Sequence, residues 1–194
     1  VDWRRSVARE VAAVLPGVDA TAFATAWRAE YQPAMARVRD GARGYVALDD
    51  LHLENLRLVA ERFGVAAPDS LNAAWAQLAP WPDVVPGLTA MKASRIIAPC
   101  SNGSIALMTR LARHAGLPWD CILGAEIARD YKPKPEVYLA AARALADDDA
   151  VLPLGILYHD PEAPRYDQMS AVGMGMSVDE KIAGLNQALD HFAI

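Results

Sequence analysis

The chain has 194 residues, of which 53% are hydrophobic and 22% are charged, and its formal net charge is −5. This length fits one domain, or a core with a smaller subdomain, and the apolar content excludes a disordered chain. No stretch approaches the roughly 18 consecutive apolar residues of a membrane span, and the acidic balance argues against a nucleic-acid-binding face. We therefore expect neither a membrane nor a nucleic-acid partner.

The two cysteines, Cys100 and Cys121, each lie in a short apolar run. Two are too few for the disulfide framework of a small secreted domain, so we expect buried free thiols. Arg4, Arg5 and Arg9 lie where a signal peptide would have its apolar segment, which favours a cytoplasmic protein.

Helical periodicity dominates the first 80 residues, which we predict to form a small helical bundle. Asp2 is expected to cap the first helix. Asp19 precedes a second apolar stripe, which Pro33 should kink or split. A third helix is predicted to begin near residues 49–50 and a fourth at Asp69.

The pattern changes after Gly87, where short apolar runs alternate with helical segments. Strands are predicted at residues 95–100 and 121–123, with further candidates at 151–158 and 174–178. Helices are predicted at residues 88–92, 104–116 and 135–146, and from Asp179 onward. This alternation predicts an α/β fold whose core is a Rossmann-like parallel sheet with helices on both faces.

Ligands of open parallel sheets bind beyond the carboxyl ends of the strands, and three such places carry suitable side chains. Ser101 and Asn102 follow the first predicted strand and open a helix, whose N-terminus favours an anion. An ordinary strand-to-helix turn is the alternative. Lys132 precedes a helix in a segment stiffened by prolines, and Tyr138 follows in the first turn of that helix. A proline-rich turn with surface lysines is the alternative there.

The third place is the segment Tyr158, His159 and Asp160, where acid–base chemistry or a metal is conceivable and a polar loop is the alternative. The remaining histidines, His52 among them, fall on predicted helices. We expect them to be surface residues or helix residues with satisfied hydrogen bonds.

The chain resembles the L-2-haloacid dehalogenases, a branch of the haloacid dehalogenase superfamily, in four segments. These are WPDVVPGL at residues 81–88, IAPCSNG at 97–103, AGLPWD at 115–120 and YKPKPEVY at 131–138. The resemblance extends from Val1 to about residue 145. It implies a Rossmann-like core over residues 81–194 and an inserted helical-bundle cap over residues 1–80.

The resemblance also implies a reaction. An aspartate carboxylate attacks the halogen-bearing carbon of a small 2-haloacid, halide leaves, and water hydrolyses the resulting ester to the 2-hydroxy acid. Ser101 and Asn102 would hold the substrate carboxylate and the nucleophile, Lys132 would neutralise the aspartate, and Tyr138 would line the pocket. Family members need no cofactor and are often homodimers.

In the cap, the family places an arginine near the leaving halide. Three residues can take this place, Arg28, Arg37 and Arg39, and we favour Arg39. Trp27 and Tyr31 lie on the apolar face that would exclude water from the pocket, although a plain core stripe explains them equally well.

The chain departs from the family at two motifs. The nucleophilic aspartate belongs to a loop after the first core strand, which has no counterpart here, and Asp2 matches a later family position. We therefore expect the natural protein to contain a segment before Val1. The fourth motif falls on Asp160 in one alignment and is deleted in another. A magnesium-dependent phosphatase of the superfamily, or an inactive small-anion-binding member if the chain is complete, are the alternatives.

Overall fold

A computed structural model of the protein describes residues 1–145. We call residues 1–80 the helical region. Its elements are α1 (Trp3–Val14), α2 (Ala20–Ala29), α3 (Tyr31–Arg39), α4 (Leu48–Arg62) and a 3₁₀ helix (Asp69–Ala76). The strand candidates at 151–158 and 174–178, the helix from Asp179 and the candidate site residue Asp160 lie outside the described residues.

Side-chain caps begin the first two helices, as the sequence predicts. The Asp2 carboxylate accepts the Arg5 backbone N–H at 3.3 Å, and the Asp19 carboxylate accepts the Ala22 N–H at 2.9 Å. Each cap satisfies an N–H group that has no partner within its own helix.

The second stripe is split at Glu30, as predicted, and Pro33 lies in the first turn of α3, where its missing N–H costs no helical hydrogen bond. The helical region differs from the prediction in one element. The fourth element is a 3₁₀ helix and not an α-helix. Over eight residues, apolar periodicity does not separate three residues per turn from 3.6.

The following segment alternates helices with two short strands. Its elements are α5 (Val84–Lys92), β1 (Cys100–Ser101), α6 (Ile105–Ala115), β2 (Leu123–Gly124), α7 (Ala125–Ala128) and α8 (Pro135–Arg143). The strands pair in parallel, with Cys100 opposite Leu123 and Ser101 opposite Gly124. The predicted parallel α/β arrangement is confirmed for this part of the chain.

The strand bounds were predicted wrongly. The first strand contains only Cys100 and Ser101, and residues 95–99 form no ladder hydrogen bonds with β2. Ile96 is 72% exposed. Pro99 has no N–H to donate to a ladder. The second strand begins two residues later than expected, at Leu123. An apolar run identifies a strand, but its pairing partners set the ends.

Gly124 permits the close approach of the two strands. Its φ is +132°, and a Cβ atom at this position would lie 2.0 Å from the Ser101 carbonyl oxygen. A side chain there would push β2 away from the segment that carries Ser101.

One hydrophobic core joins the helical region to the α/β segment. It contains Phe23 and Trp27 from α2 together with Leu107 from α6 and Tyr131 from the loop before α8. The Tyr131 hydroxyl also donates to the Val46 carbonyl at 2.6 Å. Within residues 1–145, no helix has the length and apolar character needed to cross a membrane.

Candidate active site

The loop after β1 is the first component of the site. The Ser101 hydroxyl accepts the Gly103 N–H at 3.0 Å and donates to Met108 Sδ at 3.3 Å. Ser104 then caps α6, since its hydroxyl accepts the Leu107 N–H at 2.9 Å. These contacts hold Ser101 and Asn102 at the positive end of the α6 dipole.

Asn102 connects this loop to the second predicted motif. Its side-chain oxygen accepts the Lys132 backbone N–H at 2.8 Å, and its amide nitrogen donates to Met35 Sδ at 3.4 Å. Asn102 is buried, so both contacts are shielded from water. Three parts of the chain, α3, the β1 loop and the segment before α8, therefore meet at one side chain.

Lys132 is a half-buried cation without a counter-ion in the described structure. Burial lowers the pKa of its ammonium, an effect partly offset by the nearby Cys100 thiol. Among residues 1–145, the Lys132 ammonium forms no ion pair, whereas Lys134 pairs with Asp130 at 2.7 Å. The environment of Lys132 favours the arrival of an anion, as desolvation strengthens electrostatic attraction.

Tyr138 lies close to the same position from α8. It is half-buried, and burial, with a smaller contribution from Cys100, raises the pKa of its hydroxyl. Burial likewise raises the pKa of the Cys100 thiol, and Lys132 opposes that shift. Both Tyr138 and Lys132 are thus neighbours of Cys100 at the end of β1. Cys100 and Cys121 are free, as expected, but only half-buried.

Arg39 contacts the site at the backbone carbonyl of Lys132. One guanidinium nitrogen donates to the Lys132 carbonyl at 3.1 Å and another to Gln32 Oε1 at 3.4 Å. Lys132 is therefore held at both backbone groups, by Asn102 at its N–H and by Arg39 at its carbonyl. Arg37, by contrast, is exposed.

Arg28 and Tyr31 form a separate contact further along α2 and α3. The Arg28 guanidinium lies 3.9 Å from the centre of the Tyr31 ring and 5.8 Å from that of Trp3. Trp27 is fully buried in the core, and its indole N–H donates to the His52 carbonyl at 2.8 Å. The structure brings Arg28 and Tyr31 together and leaves Trp27 beneath them as packing.

Two residues near these contacts were missed by sequence reasoning. Asp49 receives a hydrogen bond from the Ser104 hydroxyl and pairs with Arg110 at 2.7 Å, which ties α4 to α6. His52 was expected to be exposed or satisfied, but it is buried and neither ring nitrogen has a hydrogen-bond partner in the described residues. No local sequence pattern predicts the contacts of Asp49, because Ser104 and Arg110 are more than fifty residues away in sequence. The burial of His52 likewise depends on packing against distant segments.

Asp2 is engaged as a helix cap and pairs with Arg5, in keeping with its exclusion as the nucleophile. Across residues 1–145, no cluster of three or more metal-ligating side chains is present.

The loop at the N-terminus of α6 follows a parallel strand and is joined through Asn102 to the half-buried Lys132. The sequence model of the haloacid dehalogenase-like hydrolases matches residues 3–153. The chain belongs to this family.

Among more specific relatives, the (S)-2-haloacid dehalogenase H-109 of Pseudomonas putida is 29% identical over 109 residues, which are 53% of this chain and 49% of that protein. The crystal structure of the defluorinating L-2-haloacid dehalogenase Rha0230 is 48% identical with a TM-score of 0.73, over 75% of this chain and 64% of that one. The L-2-haloacid dehalogenase PA0810 is 42% identical with a TM-score of 0.71, over 75% and 66%.

The resemblance inferred from the four segments is therefore confirmed. The chain spans about half the length of the curated relative and just under two thirds of each of these two structures.

Proposed function

We propose that the protein hydrolyses short L-2-haloacids to 2-hydroxy acids. A carboxylate oxygen bonds to C2 of the substrate as the carbon–halogen bond breaks and halide leaves. Water then attacks the ester carbonyl, which frees the hydroxy acid and restores the carboxylate. The relatives named as 2-haloacid dehalogenases support this reaction.

The observation that carries the proposal is the junction of Asn102 and Lys132. The 2.8 Å hydrogen bond between them fixes a cation without a counter-ion beside an anion-binding loop. Ser101 and Asn102 are assigned to the substrate carboxylate, which the α6 N-terminus also attracts. Lys132 would neutralise the charge of the attacking carboxylate, and Tyr138 would line the pocket.

The attacking carboxylate itself is assigned to chain outside residues 1–145. Within those residues no carboxylate pairs with the Lys132 ammonium, and Asp2 is occupied at the start of α1. Asp160 is kept as the candidate acid of the fourth motif. The proposed displacement needs no cofactor, whereas the phosphatase alternative requires Mg²⁺.

We assign the halide contact to Arg28 in preference to Arg39. The Arg39 guanidinium already donates hydrogen bonds to the Lys132 carbonyl and to Gln32. Arg39 is therefore assigned to positioning the segment that carries Lys132. Arg28 is half-buried against aromatic rings, and within the described part of the chain its guanidinium forms no ion pair. The Arg28 guanidinium can therefore pair with the leaving halide.

The helical region is proposed to act as a cap over the α/β core. Met35 and Arg39 of α3 contact Asn102 and Lys132, respectively. These contacts support a role of the helical region in closing the site against water. Tyr31 would complete its apolar side, with the fully buried Trp27 packed beneath it. The charged residues near the start of the chain favour a cytoplasmic protein. The family resemblance implies a homodimer, which light scattering of the purified protein tests.

Halide release from L-2-chloropropionate by the full-length protein tests the function. We expect chloride release that is unaffected by a metal chelator, with no phosphate release from phosphoesters. Phosphate release without halide release would establish the phosphatase alternative. Calorimetric binding of a small carboxylate without any turnover would establish the inactive anion-binding alternative.

A further inference from the structure

Two side chains on one face of α3 contact the junction of Asn102 and Lys132. Met35 and Arg39 lie one turn apart on that face, at positions i and i+4 of the helix. The Asn102 amide nitrogen donates to Met35 Sδ at 3.4 Å, and the Arg39 guanidinium donates to the Lys132 carbonyl at 3.1 Å. Because Asn102 also accepts the Lys132 N–H at 2.8 Å, these contacts form a closed ring of four residues, which we call the α3 clamp.

The α3 clamp connects two parts of the fold. The bond from Asn102 to Met35 joins residues 67 positions apart in sequence, and the bond from Arg39 to Lys132 joins residues 93 positions apart. Both bonds run between the helical region and the segment that contains the two strands. Because a helix moves as one rigid element, a displacement of α3 acts on the Asn102 side chain and on the Lys132 backbone together.

Met35 and Lys132 impose the same orientation on the Asn102 amide. The Lys132 N–H is a donor and needs the carbonyl end of the amide, whereas a thioether sulfur only accepts and needs the NH₂ end. Met35 is fully buried and Asn102 is 8% exposed, so both ends are shielded from water. Without the sulfur, the NH₂ end would lose an acceptor in the core, and the side chain would be free to turn away from Lys132.

Arg39 supplies the half of the α3 clamp that lies nearer to solvent. Arg39 and Lys132 are both half-buried, and the guanidinium holds the Lys132 carbonyl while Asn102 holds its N–H. The direction in which the lysine side chain leaves the backbone follows from these two bonds. Loss of either bond lets residue 132 shift away from the other partner, so the effects of losing them are expected not to add.

We propose that Met35 is a positioning residue for the reaction, and that Met35 and Arg39 act as one unit that orients Lys132 from the helical region. This inference rests on the proposed function, in which Lys132 neutralises the attacking carboxylate. Met35 acts through Asn102, and Arg39 acts through the Lys132 carbonyl. A misplaced ammonium would slow the displacement step more than it would weaken substrate binding.

Steady-state kinetics of the full-length protein with L-2-chloropropionate test the proposal. Met35→Leu removes the sulfur and nearly conserves volume, and Arg39→Met removes the guanidinium and keeps an unbranched apolar chain. We expect each variant to lower kcat about fivefold to tenfold, with KM changed less than about twofold. The double variant should lose about as much as the weaker single variant and not the product of the two losses.

Two further variants serve as matched controls. Met91→Leu makes the same substitution at a methionine of α5 that is 37% exposed. Arg113→Met makes the other substitution at an exposed arginine near the end of α6. Both controls should retain the wild-type kcat and KM.

NMR titration of the Lys132 ammonium, assigned with Lys132→Ala, supplies a readout that needs no turnover. Burial lowers the pKa of this ammonium in the wild type. If the α3 clamp holds the lysine in its half-buried position, both clamp variants should titrate at a higher pH than the wild type, because the released ammonium gains access to water. A role in packing alone would leave the titration unchanged. Arg39→Met, at a half-buried position, keeps this comparison open if Met35→Leu fails to fold.

The outcomes separate the α3 clamp from the proposed function. Wild-type kcat and Lys132 titration in both Met35→Leu and Arg39→Met would overturn the inference while halide release by the wild type leaves the proposed function intact. Losses that multiply in the double variant would overturn the claim that the two residues act as one unit. A shifted Lys132 titration in the variants of a protein that releases no halide would overturn the proposed function and leave the α3 clamp standing.

Discussion

The side-chain oxygen of Asn102 accepts the backbone N–H of Lys132 at 2.8 Å, across thirty residues of sequence. This bond joins the loop after β1 to the segment before α8 and sets the position from which the lysine side chain departs. Arg39 holds the carbonyl of the same residue at 3.1 Å. The lysine is thus placed by two backbone contacts before any substrate binds.

Replacement of Asn102 tests this placement. Asn102→Ala leaves the half-buried Lys132 N–H without its acceptor, a loss of about 1–3 kcal/mol that corresponds to roughly fivefold to 150-fold in kcat/KM. Thr109→Ala removes an exposed hydrogen bond within α6 and is the control. Steady-state kinetics with L-2-chloropropionate measure both, and equal rates in the two variants would refute the positioning role.

Asp49 is predicted to hold the helical region against the loop after β1. Its exposed pair with Arg110 is worth little, but the hydrogen bond from the buried Ser104 hydroxyl is shielded. Asp49→Ala should therefore lower the free energy of unfolding by about 1–2 kcal/mol and raise KM. Asp50→Ala, at the exposed neighbouring position, is the control in urea unfolding, and a smaller loss in Asp49→Ala than in Asp50→Ala would contradict the assignment.

His52 is predicted to make stability depend on pH. Burial lowers its pKa to about 3, below the value of about 6.5 in an unfolded chain. The unfolded state then binds the extra proton between these values, so stability is complete above pH 6.5 and falls as the pH drops towards 3. The slope is at most about 1.4 kcal/mol per pH unit.

The measurement compares urea unfolding of the wild type and His52→Phe between pH 6.5 and 4.5. The variant should lose this part of the slope, whereas Phe23→Leu should shift the curve and keep its shape. Parallel curves for the wild type and His52→Phe would show that His52 is protonated in the folded protein.

Lys132 is predicted to set the alkaline limit of activity. Because burial lowers the pKa of its ammonium, the charge is lost at a pH below the ordinary lysine value of about 10.4. kcat/KM should therefore fall as the pH rises through the lowered pKa of Lys132. The residual activity of Lys132→Arg should lack this fall, since a guanidinium keeps its proton. An identical alkaline limb in both proteins would assign it to another group.

Local signals in the sequence predicted the helices well. Asp2, Ser104 and Gly116 mark helix ends by their own chemistry, and α1 and α6 begin and end as they indicate. The four residues of α7 are too few for a periodic pattern, and this helix was missed. Strand ends depend on partners elsewhere in the chain, which explains the error at residues 95–99.

The site was predictable only in part for the same reason. Ser101, Asn102 and Lys132 could be placed together because strands that run in parallel end at one edge of a sheet. The contacts of Asn102 with Met35 and of Asp49 with Ser104 arise from packing between distant segments. Charge and spacing likewise could not distinguish Arg28 from Arg39, whose partners differ only in the folded protein.

Halide release by Lys132→Ala, set beside Lys134→Ala, tests the central claim most directly. The two lysines are two residues apart in the same segment, but Lys134 is paired with Asp130 and Lys132 has no counter-ion within residues 1–145. With L-2-chloropropionate as substrate, we predict that Lys132→Ala abolishes chloride release and that Lys134→Ala retains most of it. Near-normal release by Lys132→Ala would contradict the proposed function at the residue on which it rests.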